Sequence, residues 1–180
     1  AGRTASALRG LGYEFDAAVC DLIDNSISAK ATLISCNVGF GADGDLTLSL
    51  IDNGCGMDQD ALLNAIRIGS EEREDPNSLG KFGFGLKTAS TAFCRALEVT
   101  TREKGKDRKV FSTTYDIDHI IEVNEWEVKI GGATKAQEDD FLDQLEGLAH
   151  LGSEQVSNGT LVRWKKIDRL LVKENGEGYA

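Results

Sequence analysis

The stretch LTLSLIDNGCGM, residues 46–57, joins an alternating apolar segment to a turn that contains two glycines. Its three leucines share one face of a strand because side chains alternate along a strand, and Asp52 continues the same row. A carboxylate that ends an inward-facing apolar row is costly unless it finds hydrogen-bond donors. The stretch therefore predicts either an ordinary Asn-Gly turn capped by Asp52 or a buried acceptor for a ligand amine. In the second case Gly54 and Gly56 let a flat ligand approach the backbone, with Met57 as apolar packing beside it.

Apolar periodicity on both sides of this stretch predicts a mixture of helices and strands. Two consecutive strand pairs look antiparallel, which favours a two-layer α/β sandwich over a doubly wound parallel sheet. Helices are predicted over residues 14–31, from Asp58 through Ile66, from the glycines at 80–85 to about 96, and over 137–149. Strands are predicted over residues 33–40, 46–52, 97–102, 110–115 and 161–164.

Composition narrows the classes of function. The 180 residues include 20 Lys and Arg against 30 Asp and Glu, a formal charge of −10 that argues against direct binding to a phosphate backbone. No apolar run is long enough to span a membrane, and the first residues lack the apolar core of a secretory signal. The four cysteines form no C-x-x-C pair and are expected to be reduced and mostly buried. We therefore expect a cytoplasmic protein with no membrane partner.

A polar face is predicted on the first helix, where Asp21, Asn25 and Ser28 follow one another at helical spacing. The simplest interpretation is a solvated surface. The alternative is a metal-and-water site, because an amide oxygen can hold a hard cation while a carboxylate orients a water molecule.

A glycine-rich segment, GKFGFGLKT at residues 80–88, precedes the third predicted helix. It is either a plain turn or an anion site, since glycines at a helix start expose backbone N–H groups near the positive end of the helix dipole. A fourth element, Asn158-Gly159-Thr160, precedes the last strand and taken alone predicts only a turn.

In their order along the chain the four elements resemble the Bergerat-fold nucleotide site of the GHKL ATPase superfamily, nearest to Morc-type and MutL-related ATP-binding domains. DLIDNSISA at 21–29 resembles the N-box, DNGCGM at 52–57 the adenine box, LGKFGFGLKT at 79–88 the second glycine box, and Gly159-Thr160 the final G-T. The resemblance covers residues 12–164. It implies an α+β fold, a two-layer sandwich with a mixed, mostly antiparallel sheet and helices on one face.

The resemblance also implies roles for single residues. Asn25 would bind Mg²⁺, Asp52 would accept a hydrogen bond from the adenine amine, and Thr160 would share a bridging water. The turn around Gly54 and Gly56 would hold the base, with Ala29 and Met57 lining its pocket. Residues implied to contact the phosphates follow one another in the second glycine box: Gly80, Lys81, Phe82, Gly83, Phe84, Gly85, Leu86 and Lys87.

For the whole chain, the resemblance implies one ATP-binding domain over residues 1–180, with an ATP lid at about 69–83. We expect Mg-dependent ATP binding and slow hydrolysis with Asp21 as the catalytic base. Lid closure would gate formation of a homodimer in a larger repair, restriction or defence machine that meets DNA only through other domains. Asp21 stands where hydrolytic members usually have Glu, and Ser28 replaces a common acidic residue. The alternatives are a non-hydrolysing nucleotide sensor and an ATP-binding domain of the chaperone or histidine-kinase type.

Overall fold

The computed structural model describes residues 1–4, 9–10, 13–41, 44–66, 85–105, 109–152 and 155–170. Within them lies an open six-stranded sheet of order β1-β2-β6-β3-β4-β5, and all of its pairings are antiparallel. The strands are β1 Ile34–Phe40, β2 Leu46–Asp52, β3 Cys94–Arg102, β4 Phe111–Asp116, β5 Lys129–Gly132 and β6 Gly159–Ile167. The predicted α+β class is confirmed, although the sheet is antiparallel rather than mixed.

The predicted helices are present with slightly different ends. The helices are α1 Phe15–Ser28, α2 Gln59–Ile66, α3 Gly85–Phe93, α4 Ile117–Val123 and α5 Lys135–Gly152. Asp58 caps α2 by accepting a hydrogen bond from the backbone N–H of Ala61 at 2.8 Å. The short elements α4 and β5 were not predicted. With 7 and 4 residues, they are too short for a helical or an alternating pattern to be recognised.

The main core lies between one face of the sheet and helices α1, α2 and α3. Leu48 and Leu50 are fully buried there, as the alternation along β2 predicts, and so is Leu97 of β3. Phe93 stacks on Trp164 with ring centroids 5.8 Å apart, and the indole N–H donates to Ser90 Oγ at 2.7 Å. This core fixes α1 and α3 against the strands that carry the candidate site.

A second core covers the opposite face of the sheet. Ile51 and Leu161 are each 2% exposed and form one cluster with Phe141 and Leu145 of α5. The expectation that helices cover only one face is therefore wrong. The physical reason is visible in β2, where the consecutive residues Leu50 and Ile51 point to opposite faces and both require burial.

Strand β1 lies at the edge of the sheet, and the face on which alternation places Ile34, Cys36, Val38 and Phe40 is largely open to solvent. Val38 is 56% exposed and Phe40 78%, and only Ile34 at the start of the strand packs against the main core. The prediction of mostly buried cysteines is also wrong, because only Cys94 is buried. The exposed thiols are those of Cys20, Cys36 and Cys55. No helix within the described ranges is long and apolar enough to cross a membrane.

Candidate functional site

Asp52 ends β2 as a buried carboxylate that is only 3% exposed. Its Oδ2 accepts a hydrogen bond from Ser26 Oγ at 2.8 Å, and its Oδ1 accepts one from the backbone N–H of Gly54 at 2.8 Å. Burial raises the pKa of Asp52, while hydrogen bonds from Ser26 and from the backbone of Gly54 and Thr160 act in the opposite direction. The predicted burial is confirmed. Ser26, which the sequence did not single out, is the donor on α1 that satisfies this carboxylate.

The turn after Asp52 requires its two glycines. A Cβ on Gly54 would lie 2.8 Å from the Cβ of Ala29, so the turn packs directly against the end of α1. Gly56 has φ +65°, and a Cβ there would lie 2.0 Å from the carbonyl oxygen of Arg102. The turn is also held at Cys55, whose N–H donates to the Ala29 carbonyl at 2.8 Å. The backbone is therefore fixed closely on both sides.

Thr101 in β3 connects the two predicted parts of the base pocket. Its buried hydroxyl accepts from the backbone N–H of Met57 at 3.0 Å, donates to the Gly159 carbonyl at 2.9 Å, and lies 3.1 Å from Thr160 Oγ1. Thr101 was not predicted from the sequence. The available signal was that it continues the inward-facing row of Leu97 and Val99, as Asp52 continues the leucines of β2.

The polar face of α1 carries Asp21 and Asn25 at its predicted positions. Asn25 is exposed, and its amide makes no hydrogen bond to any other residue in the described ranges. Asp21 Oδ2 accepts a hydrogen bond from the hydroxyl of Tyr13 at 2.8 Å. This bond, burial and the negative charge of Asp21 raise the pKa of Tyr13 above its usual value of 10.0. Tyr13 was also missed, because no local pattern connects it with Asp21.

Helix α3 begins at Gly85 and carries a buried cation in its first turn. Lys87 is 4% exposed, and its Nζ has no hydrogen-bond partner among the residues that the structure describes. Burial lowers the pKa of Lys87 from 10.5 to about 8. Leu86 beside it packs against the main core. The predicted lid at 69–83 and the implied phosphate-contacting residues Gly80, Lys81, Phe82, Gly83 and Phe84 lie outside the described residues.

These groups lie at the ends of neighbouring elements. Asp52 and Thr160 are direct partners in the β2–β6 pairing, and Ser26 brings the end of α1 to the same point. A buried acceptor, a glycine turn and an exposed amide thus occur at one end of α1. Such an arrangement could bind a ligand with a donor group on a flat ring.

A family model described as "Histidine kinase-, DNA gyrase B-, and HSP90-like ATPase" matches residues 13–150. The chain belongs to this family. The matched segment contains the N-box, the adenine box and the second glycine box. The predicted membership of the GHKL ATPases is therefore confirmed. ATP binding is the property that this family name supports.

A mouse protein named ATPase MORC2B is 38% identical to this GHKL chain over 77 residues. That segment is 41% of this chain and 8% of the mouse protein, so the chain spans only a small part of its relative. The likeness supports the predicted Morc-like character of the ATPase domain.

Proposed function

We propose that the chain binds ATP with Mg²⁺ and hydrolyses it slowly. The observation that carries this proposal is Lys87, a buried ammonium without a partner in the described residues at the first turn of α3. A buried charge without a counterion is unfavourable, and the start of a helix favours anions. A triphosphate beside α3 would supply the missing charge.

The adenine base fits the acceptors at the end of β2. Asp52 is held in place by Ser26 and Gly54, and its buried carboxylate would accept a hydrogen bond from the exocyclic amine. Thr160 adjoins Asp52 in the β2–β6 pairing and would share a bridging water. Ala29 and Met57 would contact the faces of the base.

The donor set on α1 suits Mg²⁺. This ion usually keeps several waters and is bound through one or two protein ligands together with the phosphates of a substrate. The free amide of Asn25 meets that requirement, and within the described ranges no cluster of three or more acidic, His or Cys residues offers an alternative site. When bound, the ion would neutralise charge on the phosphate oxygens.

Hydrolysis would use Asp21 as the general base. The oxygen of water attacks the γ-phosphorus, the bond from that phosphorus to the bridging oxygen of ADP breaks, and the proton of the water passes to Asp21. Since Asp is one methylene shorter than the usual Glu, we expect slow turnover. By the family resemblance we further propose a lid at 69–83 whose closure gates homodimer formation, in a cytoplasmic machine that meets DNA through other domains.

Calorimetric titration with ADP and a non-hydrolysable ATP analogue, with and without Mg²⁺, tests the proposal. Asn25→Ala is expected to remove the Mg-dependent part of the affinity. Asn37→Ala, an exposed amide on the edge strand β1, is the matched control and should bind as the parent does. If Asn25→Ala retains the full effect of Mg²⁺, the metal assignment is wrong, and if the parent binds no nucleotide, the proposed function is wrong.

A second candidate is a nucleotide sensor that binds ATP without hydrolysing it. The Asp21 carboxylate, one methylene shorter than the Glu usual in hydrolytic members, favours this alternative. Phosphate release above the uncatalysed background that disappears in Asn25→Ala would exclude it.

A further inference from the structure

The contact between Tyr13 and Asp21 concerns the residue at which this chain departs from its family. Tyr13 precedes α1, and Asp21 lies in its second turn, so the hydrogen bond of 2.8 Å spans eight positions. We infer that Tyr13 is a positioning residue for ATP hydrolysis, which holds the short Asp21 carboxylate in the orientation that a general base requires. This inference rests on the proposed function and extends it.

The two oxygens of Asp21 are not equivalent. The hydroxyl of Tyr13 can donate only one proton, which it gives to Oδ2, whereas Oδ1 has no hydrogen-bond partner in the described residues. Oδ1 therefore accepts the proton of the attacking water, and Tyr13 keeps its own proton throughout. The hydrogen bond from Tyr13 fixes the rotamer of Asp21 before the water binds. Less side-chain entropy is then lost when the carboxylate aligns the water for attack.

Tyr13 is itself held firmly. Its ring packs against the main core beside α1. Four positions earlier, Arg9 is 5% exposed, donates from Nε to the Thr91 carbonyl at 2.8 Å, and forms an ion pair with Asp168. A phenylalanine at position 13 would keep the ring packing and remove only the hydroxyl.

The test measures binding and turnover separately. Affinity for a non-hydrolysable ATP analogue is measured by calorimetry and kcat by phosphate release, for the parent, Tyr13→Phe, Asp21→Asn and the double variant. Tyr115→Phe, which removes a hydroxyl from a tyrosine buried in β4, is the matched control. We expect Tyr13→Phe to bind as the parent does and to lose roughly tenfold in kcat, a part of the roughly 10²–10⁴-fold that a general base contributes.

The double variant decides whether Tyr13 acts through Asp21. If it does, adding Tyr13→Phe to Asp21→Asn lowers kcat no further. The inference is overturned if Tyr13→Phe keeps the parental kcat, if its loss in kcat is matched by a loss of affinity, if the two effects multiply, or if the parent binds ATP without turnover. Absence of nucleotide binding by the parent would refute the proposed function itself and is recognised by calorimetry alone.

Discussion

Binding of a triphosphate beside Lys87 should take up protons from solution. In the free protein, burial lowers the pKa of Lys87 to about 8, so about half of the molecules carry a neutral amine at pH 8. A neighbouring triphosphate favours the ammonium and should return the pKa to about 10.5 or above. We therefore expect an uptake of about 0.5 proton per nucleotide at pH 8, about 0.9 at pH 9 and about 0.1 at pH 7.

The uptake is measured by titrating the ATP analogue in buffers that differ in ionisation enthalpy, since the slope of the heat against that enthalpy gives the number of protons. Lys87→Met keeps an unbranched side chain of similar length and removes the charge, so its slope should be close to zero at pH 8 and 9. A parent without uptake, or a Lys87→Met variant with the same uptake, would refute the reasoning.

The lowered pKa of Lys87 also predicts how the free energy of unfolding of the free protein depends on pH. Between pH 8 and 10.5 the unfolded chain binds more protons at Lys87 than the folded chain, so the free energy of unfolding rises with pH across this window. The fall in the pKa of Lys87 from 10.5 to about 8 corresponds to about 3.5 kcal/mol, and below pH 8 the full cost of the buried charge is present. Denaturant unfolding of the parent and of Lys87→Met at pH 8 and pH 10.5 measures this rise in the free energy of unfolding. The variant should lack it.

Three further outcomes are expected. Asp52→Asn should weaken binding of the ATP analogue by about 1–3 kcal/mol, or roughly 5- to 150-fold, because the adenine amine then meets an amide; calorimetry with unchanged affinity would contradict the pocket. Gly56→Ala should lower the free energy of unfolding by more than about 2 kcal/mol, because its Cβ would meet the carbonyl oxygen of Arg102. The control Gly105→Ala also has a positive φ but faces open space, and should lose about 1 kcal/mol in the same denaturant unfolding experiment. Of the four thiols, Cys94 alone should resist a thiol reagent until the protein unfolds, because burial raises its pKa to about 12; rapid reaction of all four would show that the core is not as described. The thiols expected to react quickly in the native protein are Cys20, Cys36 and Cys55.

Alternation along single strands predicted the buried part of the candidate site. Asp52 was recognised because it continues the row of leucines in β2, and the same signal was present for Thr101 behind Leu97 and Val99. The rule failed for β1, where the same alternation ends in an exposed Phe40. Alternation states which residues share a face, but whether a helix covers that face depends on where the strand lies in the sheet.

The contacts that orient the site were beyond local patterns. Ser26 reaches Asp52 only because α1 and β2 end at the same point, and Tyr13 reaches Asp21 because its ring packs against the core beside α1. The helix on the second face of the sheet could have been predicted from the sequence, because the adjacent apolar residues Leu50 and Ile51 indicate that β2 is buried on both sides. The four elements taken together identified the family, while the burial of Lys87 could be seen only in the fold.

The position of β6 in the sheet affects how the protein is made. The strand that is synthesised last of the six lies in the middle, where Leu48 of β2 and Leu97 of β3 both pair with Trp164. The hairpins β1–β2 and β3–β4 can form early from local contacts, but they present open edges until β6 leaves the ribosome and joins them. Since Thr160 arrives with the same strand, a nascent chain cannot complete the proposed base pocket before its sheet. Nucleotide would therefore stabilise only molecules in which that last strand is inserted, so that ligand supply during translation would favour completed folding over edge-to-edge association.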